Sequence, residues 1–130
     1  MKIELLPIGV VKTDVKKVPR HWTISDAEGT LIIEEQYTKG IKDIHAGQRI
    51  VVLFHFHQNP QFKEDILVQV PPQGPGQRGV FGICSPVRPN PIGMSVAEVL
   101  GIEGSIIHIE GLDVIDETPG LDIKPYRERD

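Results

Sequence analysis

The stretch RIVVLFHFH, residues 49–57, decides the fold. Successive side chains along it fall alternately into two sets, one for each face of a strand. This period of two is typical of a β-strand with one buried face. We therefore predict a strand with one face in the core. That face would carry Ile50, Val52, Phe54 and Phe56, and the opposite face Val51, Leu53, His55 and His57.

Short apolar runs on either side of this stretch also read as strands. Stretches such as PPQGPGQ and GIEG between them carry the glycines and prolines of turns. Only residues 34–48 have room for a short helix. About seven strands in one chain favour a mainly β fold, a single small antiparallel barrel that leaves few exposed strand edges. Besides 49–57, the predicted strands are 3–11, 30–34, 65–70, 79–83, 92–100 and 105–112.

Composition limits the class of protein. With 130 residues, 39% of them hydrophobic and 25% charged, we predict one globular domain spanning residues 1–130. No apolar run approaches the roughly 18 residues of a membrane-spanning helix, and the first residues do not resemble a signal peptide. The single cysteine, Cys84, suits a reducing cytoplasm, so we expect a cytoplasmic protein. A net charge of −4 argues against broad, non-specific binding of nucleic acid, although not against a local basic patch.

The segment SPVRPNPIGMS, residues 85–95, is unusually stiff. Each of its three prolines fixes its own φ angle and restricts the residue before it. Arg88 and Asn90 are thereby displayed from a backbone that has little entropy left to lose on binding. Two interpretations follow: a pre-organised pair of polar side chains at a binding site, or a rigid turn between two strands.

The histidines of HFH, His55 and His57, offer a different function. Two imidazoles on one strand face can hold zinc or iron, as in a metal-dependent barrel enzyme. His45 or His108 would have to supply a third ligand, although nothing in the spacing selects either. A non-catalytic nucleic-acid-binding barrel is a weaker alternative, because the sequence is poor in aromatic residues and rich in acidic ones.

Two long blocks of the sequence resemble motifs of the TsaA-like (TrmO) family of tRNA methyltransferases. They are RGVFGICSPVRPNPIGMSVAEVL (78–100) and LDVIDETPGLDIKPY (112–126). The shorter stretches PIGVVKT, VPRH and FHFHQ resemble its other landmarks in order, so the resemblance covers essentially the whole chain. It implies a small β-barrel that works as a homodimer and binds S-adenosylmethionine near the subunit interface. It also implies methyl transfer to N6 of threonylcarbamoyladenosine in a tRNA anticodon loop.

The resemblance also implies which residues contact the cofactor. His21 stands where the family has glutamine, Cys84 where it usually has arginine, and Glu117 where it has glycine. These departures keep methyl transfer to a small-molecule acceptor open as an alternative to tRNA. The implied cofactor-binding positions are Pro19, Arg20, His21, His57, Gln58, Cys84, Met94, Leu112 and Asp113.

Methyl transfer from a sulfonium is an in-line displacement that demands positioning of the reactants and a deprotonated nucleophile. An arginine can pair with a carboxylate or phosphate in bidentate fashion, and an aspartate can hold hydroxyls or an ammonium. A lysine or tyrosine can orient a negatively charged acceptor. The alternative for the acidic run at 113–117 is a solvated turn. The candidate catalytic residues are Arg88, Asn90, Asp116, Lys124 and Tyr126.

Overall fold

The computed structural model describes residues 1–19, 21–59, 61–71, 74 and 76–127. All its strand pairs are antiparallel, and six strands close into a barrel in the order β1-β2-β7-β6-β3-β8, whereas β4 and β5 form a separate two-stranded sheet. The strands are β1 Gly9–Lys12, β2 Glu28–Ile33, β3 Arg49–His55, β4 Val68–Gln69, β5 Arg78–Gly79, β6 Ile92–Glu103, β7 Ile106–Glu110 and β8 Pro119–Pro125.

The core of the barrel is built on β3, as the alternation of residues 49–57 predicts. Ile50, Val52 and Phe54 are each no more than 1% exposed, and Phe56 packs against the same core just beyond the strand. β3 pairs with β6 on one side and with β8 on the other. The predicted mainly β barrel is therefore confirmed. Other strands contribute buried apolar side chains, among them Val11, Leu31, Ile33, Ala97, Val99, Ile107 and Ile109.

Two predicted strands need correction, and one strand was not predicted. The run 65–70 divides into a 3-10 turn, Glu64–Ile66, and the short β4, and the run 79–83 yields the short β5 followed by a 3-10 turn, Val80–Gly82. Neither belongs to the barrel. β8 was not predicted, because only a turn was expected around DETPG. It nevertheless closes the barrel between β1 and β3.

The first strand and the predicted helix are both shorter than expected. The pairing of β1 with β2 and β8 begins at Gly9, and residues 1–7 are exposed, so the predicted strand 3–11 is wrong before Gly9. The run 34–48 forms a 3-10 segment, Glu35–Ile41, that buries Ile41. Within the described ranges, no helix has the length and apolar character needed to cross a membrane.

Candidate functional site

A pocket of about 280 Å³ lies at the end of the barrel where β3 finishes and β6 begins. The loop that contains SPVRPNP forms one wall, and the chain after β7 forms another. We call it the central pocket. It is lined by His21, Phe56, Ile83, Cys84, Ser85, Pro86, Arg88, Ile92, Gly93, Met94 and Asp113.

Two further pockets adjoin the central pocket and share walls with it. The side pocket, about 560 Å³, shares His21 and residues 83–86 with it. The rear pocket, about 190 Å³, shares Phe56, Pro86 and Asp113. The three pockets are therefore neighbours on one side of the barrel, and we refer to them together as the concave region. The side pocket adds Thr23, Ile24, Gln69, Val70 and Pro71, and the rear pocket adds Val18, His57, Gln58, Asn59, Val114, Ile115 and Thr118.

Among the described residues that line the central pocket, Asp113 is the only one with a carboxylate. The hydroxyl of Ser95, which is fully buried on the inner face of β6, donates a hydrogen bond to its Oδ1. Burial raises the pKa of Asp113 above its usual range, while the hydrogen bond from Ser95 and the nearby His21 counteract part of that rise. The carboxylate is thus fixed in position and only partly solvated, which favours a cationic or hydrogen-bond-donating ligand.

Ser95 was not predicted as a site residue. Its position carried a usable signal, because residues 93, 95, 97 and 99 face inward along β6 and Ser95 is the only polar side chain among them. A buried hydroxyl requires a hydrogen-bond partner, so an inward serine beside a predicted site suggests a contact with a site residue.

His21 lines both the central and the side pocket and has a defined orientation. The backbone N–H of Thr23 donates to its Nδ1 at 3.3 Å, and the Thr23 hydroxyl lies 2.9 Å from the same nitrogen. Because a backbone N–H can only donate, the neutral imidazole carries its proton on Nε2. His21 can therefore offer an N–H donor to a bound ligand.

Arg88 lines the central pocket and also holds its wall together. Its Nη1 donates to the backbone carbonyls of Ile83 at 3.1 Å and Ser85 at 2.9 Å. The Nδ2 of Asn59 donates to the carbonyl of Pro86 at 2.5 Å. The proline-rich segment is thus clamped from both sides. Both interpretations of this segment, polar display and rigid turn, have support in this geometry.

Four of the predicted cofactor-binding residues, His21, Cys84, Met94 and Asp113, meet in the central pocket. His57 and Gln58 line the rear pocket, so they are part of the same concave region. Two predicted positions do not line it, because Leu112 is buried in the core and Pro19 is half-buried beside Val18. The predicted Arg20 lies outside the described residues.

The predicted catalytic residues are scattered over the described part of this one chain. Only Arg88 lines the central pocket. Asn90 is exposed, and Asp116 accepts a hydrogen bond at 2.9 Å from the backbone N–H of Thr13 at a separate depression. Lys124 forms an ion pair of 3.1 Å with Asp122, and the Tyr126 ring lies 4.4 Å from the Arg49 guanidinium carbon.

The register of β8 explains this separation. Lys124 pairs with Val51, whereas the pocket lies beyond His55, which pairs with Ile92. Four residues of strand span about 13 Å. The DIKPY block therefore runs towards the opposite end of β3 from the pocket.

The alternative metal site finds no third ligand among the described residues. Across these ranges no group of three or more His, Cys, Asp or Glu side chains is placed to hold a metal ion. His57 belongs to the rear pocket and His55 is exposed at the end of β3. The two imidazoles of HFH are thus not accompanied by a metal-ligating cluster.

Comparisons with known proteins identify the family of this chain. Residues 10–129 match the family model described as the tRNA-methyltransferase O N-terminal domain. A probable S-adenosyl-L-methionine-binding protein of Pyrococcus abyssi is 39% identical over 124 residues, which are 92% of this chain and 66% of that protein. The human tRNA (adenine(37)-N6)-methyltransferase is 44% identical over 75 residues, 58% of this chain and 17% of that protein.

A solved structure of TrmO from Pseudomonas aeruginosa superposes with a TM-score of 0.76 at 28% identity. The match covers 98% of this chain and 57% of that one. This chain thus spans less than two thirds of each of these three proteins. The family expected from the sequence motifs is confirmed: the chain belongs to the tRNA-methyltransferase O N-terminal domain family.

Proposed function

We propose that this protein is an S-adenosylmethionine-dependent methyltransferase that methylates N6 of threonylcarbamoyladenosine in the tRNA anticodon loop. It would act as a homodimer in the cytoplasm, the compartment that its single cysteine suits. One observation carries the proposal: His21, Cys84, Met94 and Asp113, which are distant in sequence, line a single pocket in a chain of this family.

The central pocket fits the chemistry of the cofactor. S-adenosylmethionine presents an ammonium, a carboxylate, ribose hydroxyls and an adenine. Asp113 would pair with the ammonium or with ribose hydroxyls, and the unoccupied N–H groups of Arg88 would face the carboxylate. Phe56 and Met94 provide apolar surface for the adenine. A bound cofactor would supply a methyl group activated by a sulfonium.

The chain's own residues would hold the reactants in position. The clamp that Arg88 makes on the carbonyls of Ile83 and Ser85 fixes one wall of the pocket. The hydrogen bond from Ser95 fixes the Asp113 carboxylate on the facing wall. Pre-set groups of this kind lower the entropic cost of aligning two reactants for an in-line displacement.

The tRNA substrate is supported by the relatives. The matching family is described as a domain of a tRNA methyltransferase, and the human relative is named for N6 methylation of adenine 37. The threonylcarbamoyl group is the finer part of the proposal. It rests on the RPNPIG and DIKPY motifs, which resemble those of the TrmO family.

A second candidate, methyl transfer to a small-molecule acceptor, is favoured by the low positive charge of the site. Among the described residues that line the three pockets, Arg88 is the only arginine or lysine, and Cys84 stands where the family usually has arginine. A tRNA-binding surface needs more cations than that. They would have to lie outside these pockets.

Two measurements test the proposed function. Calorimetric titration should show binding of S-adenosylmethionine to the metal-free protein, whereas absence of heat and of a thermal shift at millimolar cofactor would refute it. Nucleoside analysis of tRNA from a strain lacking the gene should then show loss of the methylated threonylcarbamoyladenosine. Unchanged tRNA from that strain, together with cofactor binding, would favour the small-molecule acceptor.

A further inference from the structure

We infer that the side pocket binds the base that receives the methyl group, and that Gln69 presents a hydrogen-bond acceptor to an N–H group of this base. This inference rests on the proposed function and names the acceptor site. The occupant is a planar, nitrogen-containing base with an exocyclic N–H donor.

The division of residues among the pockets points to this role. Six of the cofactor positions that the family resemblance implies line the central and rear pockets: His21, His57, Gln58, Cys84, Met94 and Asp113. Only His21 and Cys84 among them also reach the side pocket. The side pocket is therefore left free when the cofactor occupies the central and rear pockets, and it adjoins the central pocket along His21 and residues 83–86. A second reactant must occupy a position of this kind.

The walls of the side pocket suit a flat, apolar ring. Ile24 is 63% exposed and Val70 is 68% exposed, although both are β-branched apolar residues. Pro71 and Ile83 extend the same apolar surface. Apolar side chains left in water at the mouth of a pocket mark a binding surface. Its volume, about 560 Å³, lies in the range of small-ligand sites.

Gln69 gives the pocket its polarity. Its Nε2 donates one hydrogen bond to the carbonyl of Ile66 and another to the carbonyl of Val87, both at 2.8 Å. These two bonds use both N–H groups and fix the orientation of the amide, because a carbonyl can only accept. No described residue donates a hydrogen bond to Oε1 of Gln69. Because Gln69 lines the side pocket, this oxygen remains available to accept a hydrogen bond from a ligand. The amide oxygen can therefore select a ligand that carries an N–H donor.

The first experiment uses charge on the pocket wall. The variant Val70→Asp should lower kcat/KM for methyl transfer to tRNA by at least about tenfold, because a base bound in the side pocket would cover this charge and remove it from water. Its Kd for S-adenosylmethionine should stay within about twofold of wild type. Leu6→Asp is the matched control, since Leu6 is 73% exposed and lies far along the chain in the N-terminal segment. It should leave both quantities unchanged.

A binding measurement separates this inference from the proposed function. Trp22 is the only tryptophan, and its ring lies 5.2 Å from that of His21, so its fluorescence should report ligands in the side pocket. In the presence of saturating S-adenosylhomocysteine, adenosine should bind and change this fluorescence. Purine ribonucleoside, which lacks the exocyclic amine, should bind several-fold more weakly, and Val70→Asp should bind neither.

The outcomes are distinct. Equal loss of cofactor affinity in Val70→Asp, or equal effects of Val70→Asp and Leu6→Asp, would overturn the assignment of the side pocket. Equal binding of adenosine and purine ribonucleoside would overturn the role of Gln69. If wild-type protein binds cofactor and adenosine but does not methylate tRNA, the proposed tRNA substrate is wrong while the base-binding pocket stands.

Discussion

Arg88 combines two tasks that are usually assigned to different residues. One guanidinium nitrogen donates to the carbonyls of Ile83 and Ser85, and the same residue lines the central pocket. A surface side chain away from such contacts usually contributes little to stability. The two hydrogen bonds change that expectation, because hydrogen bonds to a charged donor contribute more than neutral ones.

Arg88→Ala should therefore lower both stability and activity. We expect a loss of about 1–3 kcal/mol in the free energy of unfolding and at least about a tenfold loss in methyl transfer measured on the folded fraction. Arg88→Lys should recover most of the stability, since an ammonium can reach the same carbonyls, but not the activity, since it lacks the planar fork. Thermal melts and transfer rates of both variants provide the test. Equal recovery of both quantities in the lysine variant would make the arginine purely structural.

Asp113 should make cofactor binding depend on pH. Burial raises the pKa of its carboxyl, and the hydrogen bond from Ser95 offsets part of the rise. The carboxylate is thus lost at a higher pH than for an ordinary aspartate as the solution is acidified. Calorimetric titration between about pH 4 and pH 8 should show cofactor affinity falling on acidification through that raised pKa. Ser95→Ala should move this fall to higher pH, and a profile identical to wild type would contradict the contact.

The raised pKa of Asp113 affects folding stability in the opposite direction: cofactor affinity rises with pH, whereas stability falls. A carboxyl whose pKa is raised by folding binds its proton more tightly in the native state, so its contribution to stability falls as pH rises through that pKa. Asp113→Asn removes this unfavourable buried charge and leaves an oxygen that can accept from Ser95. The variant should gain thermal stability relative to wild type as pH rises towards neutrality, while its cofactor affinity drops. A variant that melts earlier at neutral pH would show that the charge itself stabilises the fold.

At the scale of an element, Gly93 in β6 gives the cleanest test of how the barrel shapes the pocket. A Cβ at this position would lie 2.1 Å from Cζ of Phe56, and that ring lines both the central and the rear pocket. Gly93→Ala should force the ring to move, with a cost of about 1–3 kcal/mol in the free energy of unfolding and a loss of cofactor affinity. Chemical denaturation and calorimetry measure the two effects.

Gly101 provides the matched control in the same strand. No atom lies within 4 Å of a Cβ built there, and its φ is not in the left-handed region. Gly101→Ala should therefore leave cofactor affinity unchanged and alter stability only slightly. Equal losses in the two variants would mean that β6 tolerates no alanine at either position, and that contact with Phe56 is not the cause.

A comparison of β3 with β8 shows which strands can be predicted from local sequence. β3 was predicted from its alternation because Ile50, Val52 and Phe54 must face the core in any fold that buries it. β8 was missed because its seven residues, PGLDIKP, begin and end with proline and show no clean alternation. Its pairing with β3 over Ile50–Phe54 makes it a strand. Tertiary pairing overrides weak local preference in such a segment.

For the whole molecule, the predicted cofactor-binding residues lie closer together than the predicted catalytic residues do. His21, Cys84, Met94 and Asp113 meet because three separate segments end at the same side of the barrel. Lys124 and Tyr126 lie elsewhere because β8 carries them along β3 in the opposite direction. A linear motif gives residue identity but not strand register, so the sequence could not reveal that the DIKPY block leaves the pocket.

The open pocket predicts an assembly of two chains. A methyl transfer requires water to be excluded from the reacting groups, and one chain leaves apolar side chains exposed beside the pocket. Phe81 is 78% exposed and Met94 is 51% exposed. A second copy that covers this face would bury them and complete the wall. Light scattering at micromolar concentration should therefore give about twice the 14.5 kDa of one chain.

Phe81→Asp tests which face forms the dimer. A charge placed in an apolar contact is unfavourable, so this variant should shift the measured mass towards one chain while its far-ultraviolet circular dichroism stays unchanged. Ile3→Asp is the control, because Ile3 is 74% exposed in the N-terminal segment, away from residues that line the pockets. A wild-type protein that is monomeric at micromolar concentration would contradict the dimer. A dimer that resists Phe81→Asp would move the interface to another face of the barrel.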